Sequence, residues 1–340
     1  MRRPTLRDVA EGAGVHPATA SRALNPATRH LVSRGTVERV DRIAASLGYR
    51  VNPVARSLKT ARSGTIGLLV PDLMNPLFPP IVRGVEDVLG TNGYSAWIVN
   101  TDNDPAREAA AVEAMRARNV EGFVFATARL EHPLIEQLAD TEVPLVLVNR
   151  RVARTDIPSV TSDDVSGVAV AMRHLADLGH ERIAHLAGPQ DLSTGVARLR
   201  AFRQALEDHD LAHEPALIAT CAEWTQAAGA EAADRLFDSA AGFTAVLAGN
   251  DLLALGCYDA LARRGLRCPE DVSVVGFNDI PFIDRFSPPM TSVRIPHYEI
   301  GAEAARLLLE ELREPGRHPR SIVLPPKLCV RGSTTRPASA

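Results

Sequence analysis

The chain has 340 residues, of which 45% are hydrophobic and 23% are charged, and its formal net charge is −3 at pH 7. This length allows one small and one large domain, or three compact units. No apolar run approaches the roughly 20 residues that a membrane-spanning helix requires, which argues against a transmembrane segment. The first residues, MRRPTLRD, lead directly into a polar helix, so we expect no signal peptide and a cytoplasmic location.

The four cysteines show no spacing typical of a metal site or of a redox pair; they are Cys221, Cys257, Cys268 and Cys329. We therefore expect reduced thiols, as in cytoplasmic proteins, and we predict neither a metal nor a cofactor.

Charge is distributed unevenly along the chain. The first 62 residues contain twelve Lys or Arg and four Asp or Glu, a net charge of +8, which leaves −11 for the remaining 278 residues. A basic segment is often only a solvated surface. A basic head on an acidic body favours a phosphate-binding module when it coincides with a DNA-binding motif, and the next segment supplies one.

Two short helices joined by a turn are predicted at the start of the chain. Leu6, Val9 and Ala10 recur at helical spacing, and Gly12 and Gly14 then break the helix. Such a helical hairpin is the scaffold that places a recognition helix in the major groove of DNA.

The second of these helices is predicted to begin at Pro17, which suits the first helical turn because its missing N–H is not needed there. Ala20, Ala23 and Leu24 face inward and Arg22 faces outward. A third helix, from about Ser33 to Leu47, has Ser33 as its expected cap. Its apolar face completes a small core and consists of Val37, Val40, Ile43, Ala44 and Leu47.

The whole phrase TLRDVAEGAGVHPATASRALN, at residues 5–25, resembles the start of proteins of the lactose/galactose repressor (LacI/GalR) family. The resemblance continues in the family's order through GYRVNPVARSLKT (48–60), IGLLVPDLMNPLF (66–78), LGHERIAHLAGP (178–189), AGNDLLALG (248–256), DVSVVGFND (271–279) and LCVRGST (328–334). It therefore extends over essentially the entire chain.

The resemblance implies which residues of the head contact DNA. Pro17 and Ala18 match positions that face base edges, but their side chains offer only apolar contact, for example to a thymine methyl. Arg22 can donate two hydrogen bonds to a guanine, so we predict that it reads the sequence directly. Family members often carry a capping serine where this chain has His16, so we expect a poorer helix cap. The residues that resemble phosphate contacts are Thr5, Thr19, Ser21, Asn25 and Arg34.

The segment NPVARSLKT, at residues 52–60, is open to two interpretations. It is too short to form a stable helix alone, which favours a flexible linker. The resemblance instead implies a hinge helix that forms on the operator, with Leu58 as a wedge that unstacks the minor groove. The other residues assigned to this DNA contact are Asn52, Ala55, Arg56 and Lys59.

After the hinge, short apolar runs alternate with amphipathic stretches, which is typical of parallel sheets with helices on both faces. The predicted strands are TIGLLV, SAWIVN, GFVFA, PLVLV, RIAHLA, AVLAG and VSVVGF. The predicted helices lie at residues 81–91, 105–118, 164–178, 194–209, 224–237, 251–264 and 297–312.

The predicted fold class is α/β, with an all-α helix-turn-helix head and a body that resembles a periplasmic binding protein. The body consists of two doubly wound parallel-sheet subdomains. The predicted boundaries are 1–50 for the head, 51–62 for the hinge, 63–160 with 292–324 for the first subdomain, and 161–291 with 325–340 for the second.

Ligands of open α/β sheets bind beyond the carboxyl ends of the strands, so residues just past each strand are candidates for effector binding. The full set is Asp72, Asn75, Phe78, Asn149, Arg150, Asp163, Arg198, Trp224, Asn250, Asp251, Asn278 and Asp279. Arg198 matches the family's ligand-clamping arginine, and Phe78 and Trp224 can stack on a sugar ring.

Several of these candidates have an alternative role. Asp72 and Asp251 are also expected as helix caps, and Trp224 as a core residue. Many relatives carry Asp where this chain has Asn278, which leaves the class of ligand open.

We predict a transcriptional regulator, in particular a repressor, that binds a pseudo-palindromic operator as a homodimer and responds to a sugar or a related metabolite. The chain ends RGSTTRPASA without a leucine heptad, which favours a dimer over a tetramer. The sequence contains no nucleophile-elbow, zinc-protease, P-loop or dinucleotide-binding motif, so an enzyme is not expected. Two alternatives stay open: a regulator of the same fold with a protein co-effector, and a solute-binding protein, which would need export.

Overall fold

The computed structural model describes residues 4–25, 28–49, 63–239, 242–314, 316 and 320–338. The chain divides into two compact units, Met1–Ser63 and Gly64–Ala340. We refer to them as the head and the body and describe each separately.

The head contains the three predicted helices, which are α1 (Leu6–Gly12), α2 (Pro17–Leu24) and α3 (Arg34–Ser46). Thr5 caps α1, because its hydroxyl accepts from the backbone N–H of Asp8 and the Asp8 carboxylate accepts from the Thr5 N–H at 2.7 Å. His16 is a better cap than the sequence suggested, since its Nδ1 accepts from the N–H of Ala18 at 3.2 Å. These caps fix where the two helices of the hairpin begin.

A small apolar core holds the head together. Val9, Ala20, Ala23 and Val40 are completely buried in it. One position of the predicted α3 face is wrong, because Leu47, just past the end of the helix, is 43% exposed.

Ser33 is the N-cap residue of α3, as expected, but its side chain does not cap the helix. The Ser33 hydroxyl makes no capping bond to the backbone and instead donates to the Thr36 hydroxyl at 3.0 Å.

The described part of the body contains twelve strands in chain order. They are β1 (Thr65–Val70), β2 (Ser95–Asn100), β3 (Gly122–Phe125), β4 (Leu145–Val148), β5 (Ser159–Ser162), β6 (Ile183–Ala187), β7 (Ile218–Thr220), β8 (Ala245–Ala248), β9 (Ser273–Asn278), β10 (Thr291–Arg294), β11 (Ser321–Leu324) and β12 (Lys327–Cys329). They form two six-stranded sheets, with the orders β11-β5-β4-β3-β1-β2 and β12-β10-β9-β8-β6-β7. All pairings are parallel except that of β10 with β12. The predicted α/β class with two parallel sheets is confirmed.

Eight helices accompany these strands in the described body. They are α4 (Phe78–Thr91), α5 (Pro105–Arg116), α6 (Pro133–Ala139), α7 (Asp164–Asp177), α8 (Ser193–Asp208), α9 (Gln226–Asp238), α10 (Asp251–Arg263) and α11 (His297–Arg313). Each of the seven predicted amphipathic stretches contains a helix, whereas α6 was not predicted. No described helix is both long and apolar enough to cross a bilayer.

The chain passes from one sheet to the other at positions that differ from the predicted subdomain boundaries. Strand β10 pairs with β9 in the second sheet, so residues 292–294 were assigned to the wrong subdomain. The following helix, α11, packs on α4 and β4 of the first sheet. The predicted boundary at residue 160 falls inside β5, which pairs with β4 and β11 and so belongs to the first sheet throughout.

Candidate ligand pocket and nucleic-acid interface

The outer side of α2 presents the residues predicted to read bases. Pro17, Ala18 and Arg22 are exposed, while Thr19 and Ser21 are half-buried. This arrangement leaves the guanidinium of Arg22 accessible to a groove, as direct readout requires.

The remaining predicted phosphate contacts of the head have roles within it as well. Thr5 caps α1, Asn25 is the C-terminal cap of α2, and the Arg34 guanidinium lies 3.0 Å from the Glu38 carboxylate. An exposed ion pair of this kind contributes little to stability, so Arg34 can exchange Glu38 for a phosphate. The hinge candidates Asn52, Ala55, Arg56, Leu58 and Lys59 lie outside the described residues.

A pocket in the body is formed where the carboxyl ends of strands from the two sheets meet. Its lining comes from the segments that follow β1, β4, β6, β7 and β8, and from the last residue of β9. The nine lining residues are Asn75, Leu77, Asn149, Arg150, Thr194, Arg198, Trp224, Asn250 and Asn278. The structure thus brings together seven of the twelve predicted effector contacts at the edge where open α/β sheets bind ligands.

Arg198 is the most firmly held side chain of this pocket. It is 3% exposed and its Nε donates to the Asp164 carboxylate at 2.8 Å. Its Nη1 donates to the carbonyl oxygen of Gly249 at 2.6 Å, and its guanidinium lies 3.8 Å from the centre of the Phe277 ring. Burial raises the pKa of Asp164, an effect that the charge of Arg198 opposes. The pair is a buried, hydrogen-bonded ion pair that fixes the guanidinium at the pocket.

Arg150 is also buried, but unlike Arg198 it lacks hydrogen-bond partners for part of its guanidinium. It is 5% exposed, and its Nε and Nη1 have no hydrogen-bond partner among the described residues. Burial lowers its pKa to about 10, and the nearby charge of Arg129 acts in the same direction. The guanidinium therefore remains charged at neutral pH while two of its donors are unsatisfied.

Local backbone structure places three asparagines in the pocket, two of them through an unusual backbone conformation and one as a helix cap. Asn149 and Asn278 have φ values of 66° and 111°, a region that residues other than glycine rarely adopt. Such backbone strain is typical of ligand sites. Asn250 caps α10 through its Oδ1, which accepts from the N–H of Leu253 at 2.8 Å. All three amides border the pocket.

Trp224 forms an apolar wall beside Arg198, whose guanidinium lies 5.7 Å from the ring centre. The indole packs against the backbone beyond β6, where a Cβ at Gly188 would stand 1.9 Å from a ring carbon. The edge of the ring therefore packs against this backbone, and the guanidinium of Arg198 lies over the ring. An aromatic ring held in this way can stack on an apolar face of a ligand.

Two of the predicted contacts, Asp251 and Asp279, are not among the residues that line the pocket, and both are hydrogen-bonded to other parts of the body. Asp251 is completely buried behind the pocket and accepts from the Ser292 hydroxyl at 2.5 Å and from the Ile280 N–H at 2.9 Å. Burial raises its pKa to about 7. Asp279 accepts from Arg294 and Arg331, each at 2.6 Å. Burial disfavours its carboxylate, but these two hydrogen bonds outweigh that effect and lower its pKa.

Three further predicted contacts, Asp72, Phe78 and Asp163, also lie outside the pocket lining, and each takes part in local structure. Asp163 caps α7, because its carboxylate accepts from the Ser166 N–H at 2.9 Å. Asp72 stabilises the loop after β1 by accepting from the Met74 N–H at 2.8 Å. Phe78 is 1% exposed and packs in the apolar core of the body, whereas its neighbour Leu77 borders the pocket.

Two lining residues, Leu77 and Thr194, were not predicted from the sequence. Thr194 lies in the first turn of α8, one helical turn before Arg198, so helical spacing from the predicted arginine is a signal that could have found it. Leu77 is next to the predicted Phe78, and the apolar sequence there offers no signal that distinguishes the two.

Both the head and the body are similar to known protein families. Residues 5–52 match the family described as bacterial regulatory proteins, lacI family, and residues 172–334 match the periplasmic binding protein-like domain. The chain is 34% identical over 330 residues to a ribose operon repressor from Halalkalibacterium halodurans, with 97% of each chain covered. It is 33% identical over 333 residues to the transcriptional repressor CytR from Escherichia coli, covering 97% of this chain and 96% of CytR.

Two solved structures agree with these relatives. A complex of the transcriptional regulator CelR with cellobiose has 32% sequence identity and a TM-score of 0.75, covering 97% of this chain and 100% of the CelR chain. The lac repressor dimer bound to operator and the anti-inducer ONPF has 28% identity and a TM-score of 0.87, covering 98% of this chain and 100% of that chain.

Proposed function

Because the chain belongs to the LacI family of bacterial regulatory proteins, we propose that it is a transcriptional repressor whose affinity for an operator is controlled by a small molecule bound in the pocket of the body. The observation that carries the proposed control by a small molecule is the position of Arg198. It is buried, its guanidinium is fixed by Asp164 and the Gly249 carbonyl, and it borders a pocket between two sheets. A ligand that touches both sheets there can bias their relative arrangement.

The chemistry of the pocket supports a sugar-like effector. Four asparagines and Thr194 provide donors and acceptors for hydroxyl groups, and Trp224 provides a face for a ring. A ribose operon repressor and a cellobiose complex are among the similar proteins.

In the head, Arg22 is the proposed base-reading residue, with Pro17 and Ala18 beside it in apolar contact. Thr5, Thr19, Ser21, Asn25 and Arg34 are the proposed phosphate contacts. The similarity to the lac repressor dimer on its operator supports a homodimer on a two-fold symmetric site. The hinge assigned to residues 51–62, with Leu58 as its wedge, stays a prediction.

Two further inferences, on the location of the protein and on turnover of the ligand, complete the proposal. We infer a cytoplasmic location, since a regulator that binds genomic DNA acts there. We also infer that the pocket binds its ligand without turnover, because the similar proteins are regulators rather than enzymes. A solute-binding protein is disfavoured because the head matches the lacI family over residues 5–52.

The proposal is tested by selecting an operator from a random duplex DNA library with the full chain. Operator affinity is then measured with and without sugars, sugar acids, sugar phosphates, polyols and nucleosides. We expect one compound to change operator affinity by roughly 5- to 150-fold, the usual range of allosteric coupling. Failure to select any sequence preference would contradict DNA regulation by this chain.

The role of Arg198 is tested in the same assay. Arg198→Ala removes charge-assisted hydrogen bonds of about 1.5–3 kcal/mol each, so it should abolish most of the response to that compound. Arg200→Ala is the matched control, because Arg200 is exposed on the same helix and does not line the pocket. Circular dichroism verifies that both variants are folded, since Arg198→Ala leaves Asp164 unpaired. A wild-type response in folded Arg198→Ala would contradict the proposed pocket.

A further inference from the structure

One of the two cations that line the pocket makes no ion pair with a described residue, although the charges of Asp191 and Glu108 favour its charged form from a distance. All nine lining residues lie within the described part of the chain, and among them Arg150 and Arg198 are cationic while none is acidic. The positive charge of Arg198 is paired with the Asp164 carboxylate, which lies 2.8 Å from its Nε. Arg150 has no such carboxylate in contact with it among the described residues, and its Nε and Nη1 have no hydrogen-bond partner there.

Two carboxylates, Asp191 and Glu108, act on Arg150 through their charge, but both already contact other groups. Asp191 lies 3.3 Å from the Arg129 guanidinium. Glu108 accepts a hydrogen bond from the Thr127 hydroxyl and lies 3.2 Å from the His132 ring. Neither hydrogen-bonds the buried Nε and Nη1 of Arg150.

An arginine in this condition is costly for the ligand-free protein. Burying a cation without a partner requires several kcal/mol of desolvation, and structural arginines are therefore normally paired. Arg198 shows how this pocket treats a paired cation, with a carboxylate, a carbonyl oxygen and an aromatic face around the guanidinium. The contrast indicates that the partner of Arg150 is supplied from outside the chain.

We propose that the effector is an anionic sugar-like molecule, whose negative group pairs with Arg150 while its hydroxyls contact the asparagine amides. This inference rests on the proposed function of the pocket. The carboxylate of a sugar acid and the phosphate of a sugar phosphate both satisfy the chemistry, because each accepts charge-assisted hydrogen bonds from a guanidinium. A neutral sugar would leave the buried charge uncompensated.

The charge preference is tested with compounds that differ in one group. Binding to the full chain is measured by calorimetry for glucose against glucuronate, galactose against galacturonate, glucose against glucose 6-phosphate, and ribose against ribose 5-phosphate. We expect the charged member to bind at least roughly tenfold more tightly in one or more pairs, and this advantage should shrink as salt is raised. The pair that shows it distinguishes a carboxylate from a phosphate.

Arg150→Gln should remove the advantage of the charged member. Arg151→Gln should keep it, because Arg151 is exposed and is not one of the nine lining residues. If a neutral sugar binds as tightly as its charged partner, the inference is overturned while sugar control of the repressor stands. If no member of any pair binds, both the inference and sugar control fail, and DNA regulation is judged from the operator selection alone.

A second measurement needs no ligand. Arg150→Met removes an uncompensated buried cation, so it should raise the Tm of the ligand-free chain by about 2–4 °C or more. Arg198→Met breaks the pair with Asp164 and should lower the Tm. If Arg150→Met lowers the Tm as Arg198→Met does, Arg150 is a structural residue and the inference is wrong.

Discussion

At the scale of single residues, we predict that base recognition by the head depends on Arg22. It is exposed on α2 beside Pro17 and Ala18, whose side chains offer no hydrogen bonds to base edges. We therefore expect sequence discrimination through this part of the helix to rely on the guanidinium of Arg22.

We expect Arg22→Ala to weaken operator binding by about 1–3 kcal/mol and to relax the preference at one base pair in each half-site. Affinity measured on operators with single base changes checks this. The control is Arg34→Ala, which should weaken binding to all sequences and reduce the salt slope by about one. An equal loss of affinity on every sequence for Arg22→Ala would make Arg22 a phosphate contact.

At the scale of elements, α4 and α11 of the body pack closely because two glycines let their backbones approach. A Cβ at Gly84 of α4 would stand 2.1 Å from the carbonyl oxygen of Tyr298, and one at Gly301 of α11 would stand 1.9 Å from that of Ile81. This contact joins the helix that follows β1, and hence the loop carrying Asn75, to the chain that returns from the second sheet.

We expect Gly84→Ala to destabilise the body by about 1–3 kcal/mol or more, because neither backbone can move without separating the helices. Gly90→Ala is the matched control on the same helix. No atom lies within 4 Å of its added Cβ, so it should stabilise the body by about 0.5–1 kcal/mol. Urea unfolding of both variants checks the pair, and equal stabilities would show that the helices are not packed as described.

For the whole molecule, we expect a homodimer. The similar lac repressor structure is a dimer on its operator. Strand β2 is an edge of the first sheet and its apolar residues Trp97, Ile98 and Val99 are only half-buried. An edge of this kind is a natural surface for self-association.

Sedimentation of the full chain should give twice the chain mass of 36.6 kDa. The measurement is repeated over a range of protein concentrations, because the fraction of dimer depends on concentration. A stable tetramer, or a monomer at every concentration, would contradict the expectation.

The order of elements in the body could be predicted from the sequence because its signals are local. β1, β2, β4, β6, β8 and β9 are apolar runs with flanking turn signals, and the helices between them show helical spacing. β5 reads SVTS and β7 and β12 have three residues each, so their own sequences carry no strand signal. They form because a neighbouring strand offers backbone hydrogen bonds, which is a tertiary effect.

The strand-end rule likewise found seven of the nine lining residues, because it depends only on where strands finish. It could not separate Asn250 from Asp251 or Asn278 from Asp279. Each acid is one residue beyond an amide that lines the pocket, and its side chain points elsewhere, to partners from distant segments: Ser292, Arg294 and Arg331.

The sequence by itself thus determined the family, the helix-turn-helix and the alternating sheets, since these depend on neighbours along the chain. Only the tertiary structure decided which charges face the pocket. Arg150 follows β4 and Arg198 lies in the helix after β6, and neither local sequence shows whether its guanidinium is paired. One meets Asp164 across 34 positions of sequence and the other retains unpaired donors, because pairing depends on which distant segments the fold brings together.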